Sequence, residues 1–188
     1  MRKSFSRFIL HLFGWNIESH ISPEHKKMVV MMAPHTSNWD FVIGWLGFNA
    51  LGLRSRFLIK KEFFKPVIGG IIKAMGAIPV NRKLPTAVVQ QVAELFNSHE
   101  EYIVTITPEG TRSLNRNWKR GFYHIARQAG VPIGIGYLDY KKKEGGILAV
   151  FFPTGDYEAD FKHIEKYYYD KNAKFPEKFN LSPQNRKV

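Results

Sequence analysis

The segment "APHTSNWD" (33–40) packs a histidine, two hydroxyls, an amide and a carboxylate between the apolar runs "MVVMM" and "FVIGWLGF". A histidine close to a carboxylate is what general-base chemistry needs. The carboxylate fixes one imidazole nitrogen, and the other nitrogen takes a proton from an attacking hydroxyl. Imidazole suits the role because its unperturbed pKa, about 6.5, leaves it mostly neutral near pH 7. Spacing constrains how His35 and Asp40 can meet. Five residues of helix turn through about 140°, so the pair meets only if His35 precedes a helix and Asp40 lies in its first turn. Pro34 disfavours helix before it, and Ser37 is a good N-cap, so the local residues fit. Capping also explains them without chemistry, because Ser37 and Asp40 form a Ser-x-x-Asp capping pattern and an acid is favourable in a first turn. Taken alone, the spacing favours capping.

A second polar island is "TPEGTRS" (107–113). Pro108 and Gly110 make a turn, and Glu109, Thr111, Arg112 and Ser113 present polar groups at the start of the next element. The turn reads either as a loop with a surface salt bridge or as a phosphate clamp, with the planar fork of Arg112 and the turn amides as donors. Arg116, Lys119 and Arg120 follow and make the region strongly positive. A third segment, "GAIPVNR" (76–82), brings Arg82 after a short apolar run.

These residues need a frame. Apolar, β-rich runs at 28–33, 56–59, 77–80, 102–107, 132–137 and 147–152 have the lengths of buried strands. Between them, 86–97 carries Val88, Val92, Leu95 and Phe96 at helical spacing after Pro85 and the candidate cap Thr86. The stripe Trp118, Phe122, Ile125, Ala126 and Ala129 ends at Gly130. The alternation predicts an α/β fold: a single domain with a mostly parallel or mixed central sheet flanked by helices. Both polar islands fall where a strand ends and a helix begins, which is where open α/β sheets place their sites.

Residues 1–14 predict an amphipathic N-terminal helix with Phe5, Phe8, Ile9, Leu12 and Phe13 on one stripe. Packing on the core and lying among anionic headgroups both fit it. Residues 15–170 form the main domain, and the polar tail 171–188 is expected to be loosely held.

The 188 residues hold 28 Lys and Arg against 16 Asp and Glu, a formal charge of +12, which predicts anionic company. The absence of cysteine excludes disulfides, thiolate metal sites and cysteine nucleophiles. No metal site is expected, since the histidines are dispersed and no His-Glu-x-x-His pattern occurs. The longest apolar stretch, 41–53, falls short of the roughly 20 residues that span a bilayer. With no secretory signal at its start, the chain is expected in the cytoplasm, at the inner face of the cell membrane without a span.

His35-x4-Asp40, "GAIPVNR", "PEGTRS" and "VPIGIGY" (131–137), in this order, resemble the four-motif signature of the glycerolipid (lysophospholipid) acyltransferase family, which includes the 1-acyl-sn-glycerol-3-phosphate acyltransferases. The resemblance runs from about residue 28 to 155. It implies a glycerol-3-phosphate acyltransferase-like fold and His35 as general base with Asp40 orienting it. It also implies direct attack of an acceptor hydroxyl on an acyl thioester. Glu109, Gly110, Thr111 and Arg112 match the third motif, associated with the acceptor's polar head, and Arg82 matches the arginine of the second. No cofactor is implied; acyl-CoA or acyl carrier protein is the co-substrate. A lysophospholipid, by default 1-acylglycerol 3-phosphate, is the acceptor, and an anionic membrane surface is the setting. Departures at Pro34 and Thr107 leave another lysolipid or an aminolipid open as acceptor.

Readings of other classes are a noncatalytic module for anionic lipid and a nucleic-acid-binding domain. For the latter the chain shows no recognition-helix, zinc or RNA-binding signature, and no nucleic acid is expected as a partner. A serine hydrolase lacks its Gly-x-Ser-x-Gly elbow.

Overall fold

Strand β2 (Lys27–Ala33) shows how the sequence builds the centre of the molecule. Met28 to Ala33 are all buried, and they alternate between two cores. Val29, Met31 and Ala33 belong to one, Met28, Val30 and Met32 to the other. A strand buried on both faces reads as a continuous apolar run, and helices must then cover both sides.

The computed structural model describes residues 2–22, 24–66 and 68–186. A seven-stranded mixed sheet has the order β1-β7-β6-β2-β5-β3-β4. Its other strands are β1 (Asn16–Ser19), β3 (Ser55–Lys60), β4 (Ala77–Val80), β5 (Tyr102–Ile106), β6 (Ile133–Asp139) and β7 (Glu144–Phe151). Neighbouring strands run parallel except β6 and β7, which form a hairpin. Helices α1 (Arg2–Leu12) and α2 (Asn38–Leu51) cover one face. On the other lie α4 (Pro85–Asn97), α5 (Gly121–Ala129) and α6 (Tyr157–Ile164). The short α3 (Ile68–Ala74) leads into β4. The α/β class and mixed sheet agree with the sequence reading. After β2 the chain passes to β3 on one side, and after β5 it crosses to β6 on the other. Divergent connections of this kind open a crevice at the carboxyl ends of the strands.

Three differences from the sequence reading have physical reasons. Strand β1, "NIES", carries too little apolar character to be read as a strand; it is a short edge strand paired to β7. Helix α4 starts at Pro85, with Leu84 as N-cap, two residues before the candidate cap Thr86. The tail is not loosely held: Ala173, Phe179 and Leu181 are buried in the same core as α5 and α6. Lys187 and Val188 of that tail, and Met1 of the N-terminal helix, lie outside the described residues.

Helix α1 packs on α2 through Ser6 and Leu10, and Arg7 Nε donates to Ala50 O (3.1 Å) at the end of α2. Phe5, Phe8, Leu12 and Phe13 are instead 63–66% exposed, so the aromatic stripe faces away from the core. Among the described residues no helix is long and apolar enough to cross a membrane. The run 41–53 forms most of α2, whose buried Ile43, Gly47 and Phe48 face the core. Phe41, Val42 and Trp45 of the same helix line an open cavity.

Candidate active site

The polar island after β2 does what its spacing requires. Pro34 to Ser37 form a loop, with the Ala33–Pro34 peptide bond cis, and α2 begins at Asn38. Ser37 caps the helix: its Oγ accepts from Trp39 N (3.2 Å). Asp40 closes the capping box by accepting from Ser37 N (2.7 Å) and also from Thr36 N (2.6 Å), both at Oδ2. The same Oδ2 stands 3.4 Å from His35 Nδ1. Two amides already occupy that oxygen, which accounts for a contact longer than a tight hydrogen bond. Capping and dyad geometry therefore coexist on one carboxylate. His35 lines the cavity with its Nδ1 turned to Asp40.

Two residues hold this pair from behind. Glu109 is buried, at 2% exposure, and its Oε1 accepts from His35 N (3.1 Å), tying the turn after β5 to the loop after β2. Burial pushes its carboxyl up to about 8, opposed by the His35 amide and assisted by the Asp40 charge, so the group is largely protonated at neutral pH. Its other oxygen has no partner among the described residues. On the far side, Tyr140 Oη donates to Asp40 Oδ1 (2.6 Å).

The cavity, about 1740 Å³, runs from these strand ends along α2. Its walls combine Phe41, Trp45, Phe57, Val88 and Ile125 with Arg56, Arg82, Arg112, Lys119 and Arg120. Asp40 is the only carboxylate lining it among the described residues, so the cavity carries a strong positive field and an apolar floor. Arg112 and Lys119 are exposed at its edge, and Arg82 donates to Leu58 O (3.0 Å). Arg120 is committed elsewhere, to Glu158 and over the Tyr157 ring. Gly110 shapes the edge. Its φ of +67° is left-handed, which favours glycine, and the Lys119 side chain crosses the turn where a Cβ would stand, 2.8 Å from its Cε.

Of the residues singled out in the sequence, the fold brings His35, Asp40, Arg82, Gly110 and Arg112 to one cavity. Glu109 lies behind the wall, not in it. Thr111 is exposed but does not line the cavity; its Oγ1 accepts from Ser113 N (3.2 Å). Tyr140 was missed, because it lies 100 residues from its partner. Its one available signal was its place just after the strand of "VPIGIGY". Among the described residues no three His, Asp or Glu side chains are grouped to hold a metal ion.

Comparison with known proteins gives the chain its family. The family model described as Acyltransferase matches residues 16–134, and the chain belongs to that family. Among curated proteins it is similar to 1-acyl-sn-glycerol-3-phosphate acyltransferases. One is from Limnanthes alba (28% identity over 132 residues, 66% of this chain and 46% of the relative). Another is from Streptococcus pneumoniae (26% over 139 residues, 69% and 51%). The chain thus spans about half the length of the curated relatives it matches. The crystal structure of the 1-acyl-sn-glycerophosphate (LPA) acyltransferase PlsC from Thermotoga maritima shares its fold. The TM-score is 0.61 at 17% identity, covering 88% of this chain and 74% of that one.

Proposed function

We propose that the chain transfers a fatty acyl group from a thioester, of coenzyme A or acyl carrier protein, to the free hydroxyl of a lysophospholipid. The preferred acceptor is 1-acylglycerol 3-phosphate, giving phosphatidic acid. One observation carries the reading: His35 and Asp40 face each other on the wall of an apolar cavity whose edge holds Arg82, Arg112 and Lys119. An amphiphile with a phosphate head and an acyl tail matches both surfaces.

In this reading His35 Nε2 takes the proton of the acceptor hydroxyl as its oxygen attacks the thioester carbonyl. Asp40 holds the Nδ1 side and stabilises the imidazolium that forms. Collapse of the tetrahedral intermediate breaks the C–S bond, and the thiolate recovers the proton from the imidazolium. Arg112 and Lys119 hold the acceptor phosphate, assisted by Arg82; Gly110 gives them room, and Glu109 supports His35 from behind. Thr111 serves the turn and not the head group. The exposed stripe of α1 (Phe5, Phe8, Leu12) and the basic surface support peripheral docking on an anionic membrane, at the inner face of the cell membrane.

The test is acyl transfer by purified protein from a labelled thioester to a panel of lysolipids and aminolipids. The expected outcome is phosphatidic acid from the phosphate-bearing acceptor, with His35→Ala slowing transfer at least ~100-fold while the fold is kept. Full activity in His35→Ala removes the mechanism. Arg112→Ala should raise KM for phosphate-bearing acceptors about tenfold, the worth of one charge-assisted contact, and leave neutral acceptors unaffected.

A further inference from the structure

Asp40 is held more tightly than a helix cap needs. Its Oδ2 takes two backbone amides, and its Oδ1 takes the hydroxyl of Tyr140 at 2.6 Å, on a carboxylate side chain only 2% exposed. The phenol reaches there because Tyr140 follows β6, the neighbour of β2 in the sheet. It is fixed at both ends. Tyr140 N donates to Asn172 O (2.8 Å), and the ring meets Trp15 edge-on, with centroids 5.1 Å apart. Lys174 Nζ lies 5.7 Å from the same ring. Burial first, then the Asp40 carboxylate, push the phenol well above its ordinary range, so it stays protonated and remains a donor.

We propose that Tyr140 is a positioning residue for the dyad, setting the orientation and effective charge of Asp40 through the bond to Oδ1. The inference rests on the reading of His35 and Asp40 as a dyad. A donor on Oδ1 draws charge away from Oδ2, the oxygen that faces His35 Nδ1, and so weakens the hold of the carboxylate on an imidazolium. It also fixes the carboxylate plane, which the two amides at Oδ2 leave free to pivot. The other ionisable groups around the pair are Glu109, bonded to the His35 amide, and Lys174, facing the Tyr140 ring.

The test follows His35 by NMR titration without substrate, so it reads out whether or not acyl transfer is found. Tyr140→Phe should raise the pH at which His35 titrates by about half a unit, since Asp40 regains charge toward Nδ1. Replacing Tyr140 with 3,5-difluorotyrosine, a stronger donor of nearly the same shape, should shift the titration the opposite way. In the transfer assay Tyr140→Phe should lower kcat roughly tenfold with KM for both substrates unchanged. A merely structural tyrosine would not give titration shifts of opposite sign. Identical His35 titration in all three forms overturns the proposal, as does a loss of activity carried by KM. If the Phe variant does not fold, the near-isosteric fluorinated one decides alone.

Discussion

At the scale of single residues, the carboxyl of Glu109 makes a claim that stability measurements can check. Its folded-state value, about 8, lies above its ordinary 4.5. Between those values the folded protein keeps a proton that the unfolded chain has lost, so this group's contribution to stability falls as pH rises through the window. The slope is at most about 1.4 kcal/mol per pH unit. Glu109→Gln keeps an oxygen acceptor for the His35 amide and cannot ionise. Urea unfolding at pH 5.5 and 8.5 should show the variant gaining on the natural protein at the higher pH; parallel behaviour would place the proton elsewhere. Glu109 also marks what the sequence could and could not reveal at this scale. His35 and Asp40 were legible because a loop, a cap and a first turn are local. The "PEGTRS" turn was legible as a polar junction. That Glu109 points inward and Thr111 away from the cavity depends on how the turn sits against β2. Tyr140 depends on two strands being neighbours, which no local pattern encodes.

At the scale of elements, legibility followed apolar content. β2, β3, β4, β5, β6 and β7 each announce themselves by a short apolar run, whereas β1 and the tail do not. Residues 165–181 are secured by a few large side chains among polar ones. One of these, Tyr168, is fully buried in the 3-10 turn after α6, and its hydroxyl lies 3.1 Å from Met31 O and 2.9 Å from Gly136 O. It therefore clips this segment onto β2 and β6 just beneath the site. Tyr168→Phe should cost about 1–2 kcal/mol of stability, read by urea denaturation, while leaving the ring packing in place. An unchanged midpoint would show that the clip is redundant. Helix α1 makes the opposite case. Its stripe is exposed, so Phe5→Ser with Phe8→Ser should change folding stability by less than about 0.5 kcal/mol. The same pair should weaken vesicle co-sedimentation at least tenfold, because each phenylalanine buried in lipid is worth about 1.5–3 kcal/mol. Undiminished binding would acquit the helix.

At the scale of the whole molecule, the two families of residues on the surface act over different ranges. The charge of +12 is poorly compensated internally. Among the described residues only Lys26–Glu101, Arg120–Glu158 and Lys171–Asp170 bring a lysine or arginine within 4.0 Å of a carboxylate. Such a field attracts any polyanion, DNA as readily as an acidic bilayer, and salt removes it: the screening length falls from about 10 Å at 0.1 M to about 3 Å at 1 M. The exposed apolar stripe acts only on contact and is insensitive to salt. Raising salt from 0.1 to 1 M should therefore abolish binding to duplex DNA but leave a residual fraction on anionic vesicles. That residual fraction should vanish in the Phe5→Ser, Phe8→Ser protein. Co-sedimentation at the two salt concentrations, with both vesicles and DNA and both proteins, separates the forces. If vesicle binding disappears at 1 M as completely as DNA binding does, the surface is an unselective polycation, and membrane docking through α1 fails.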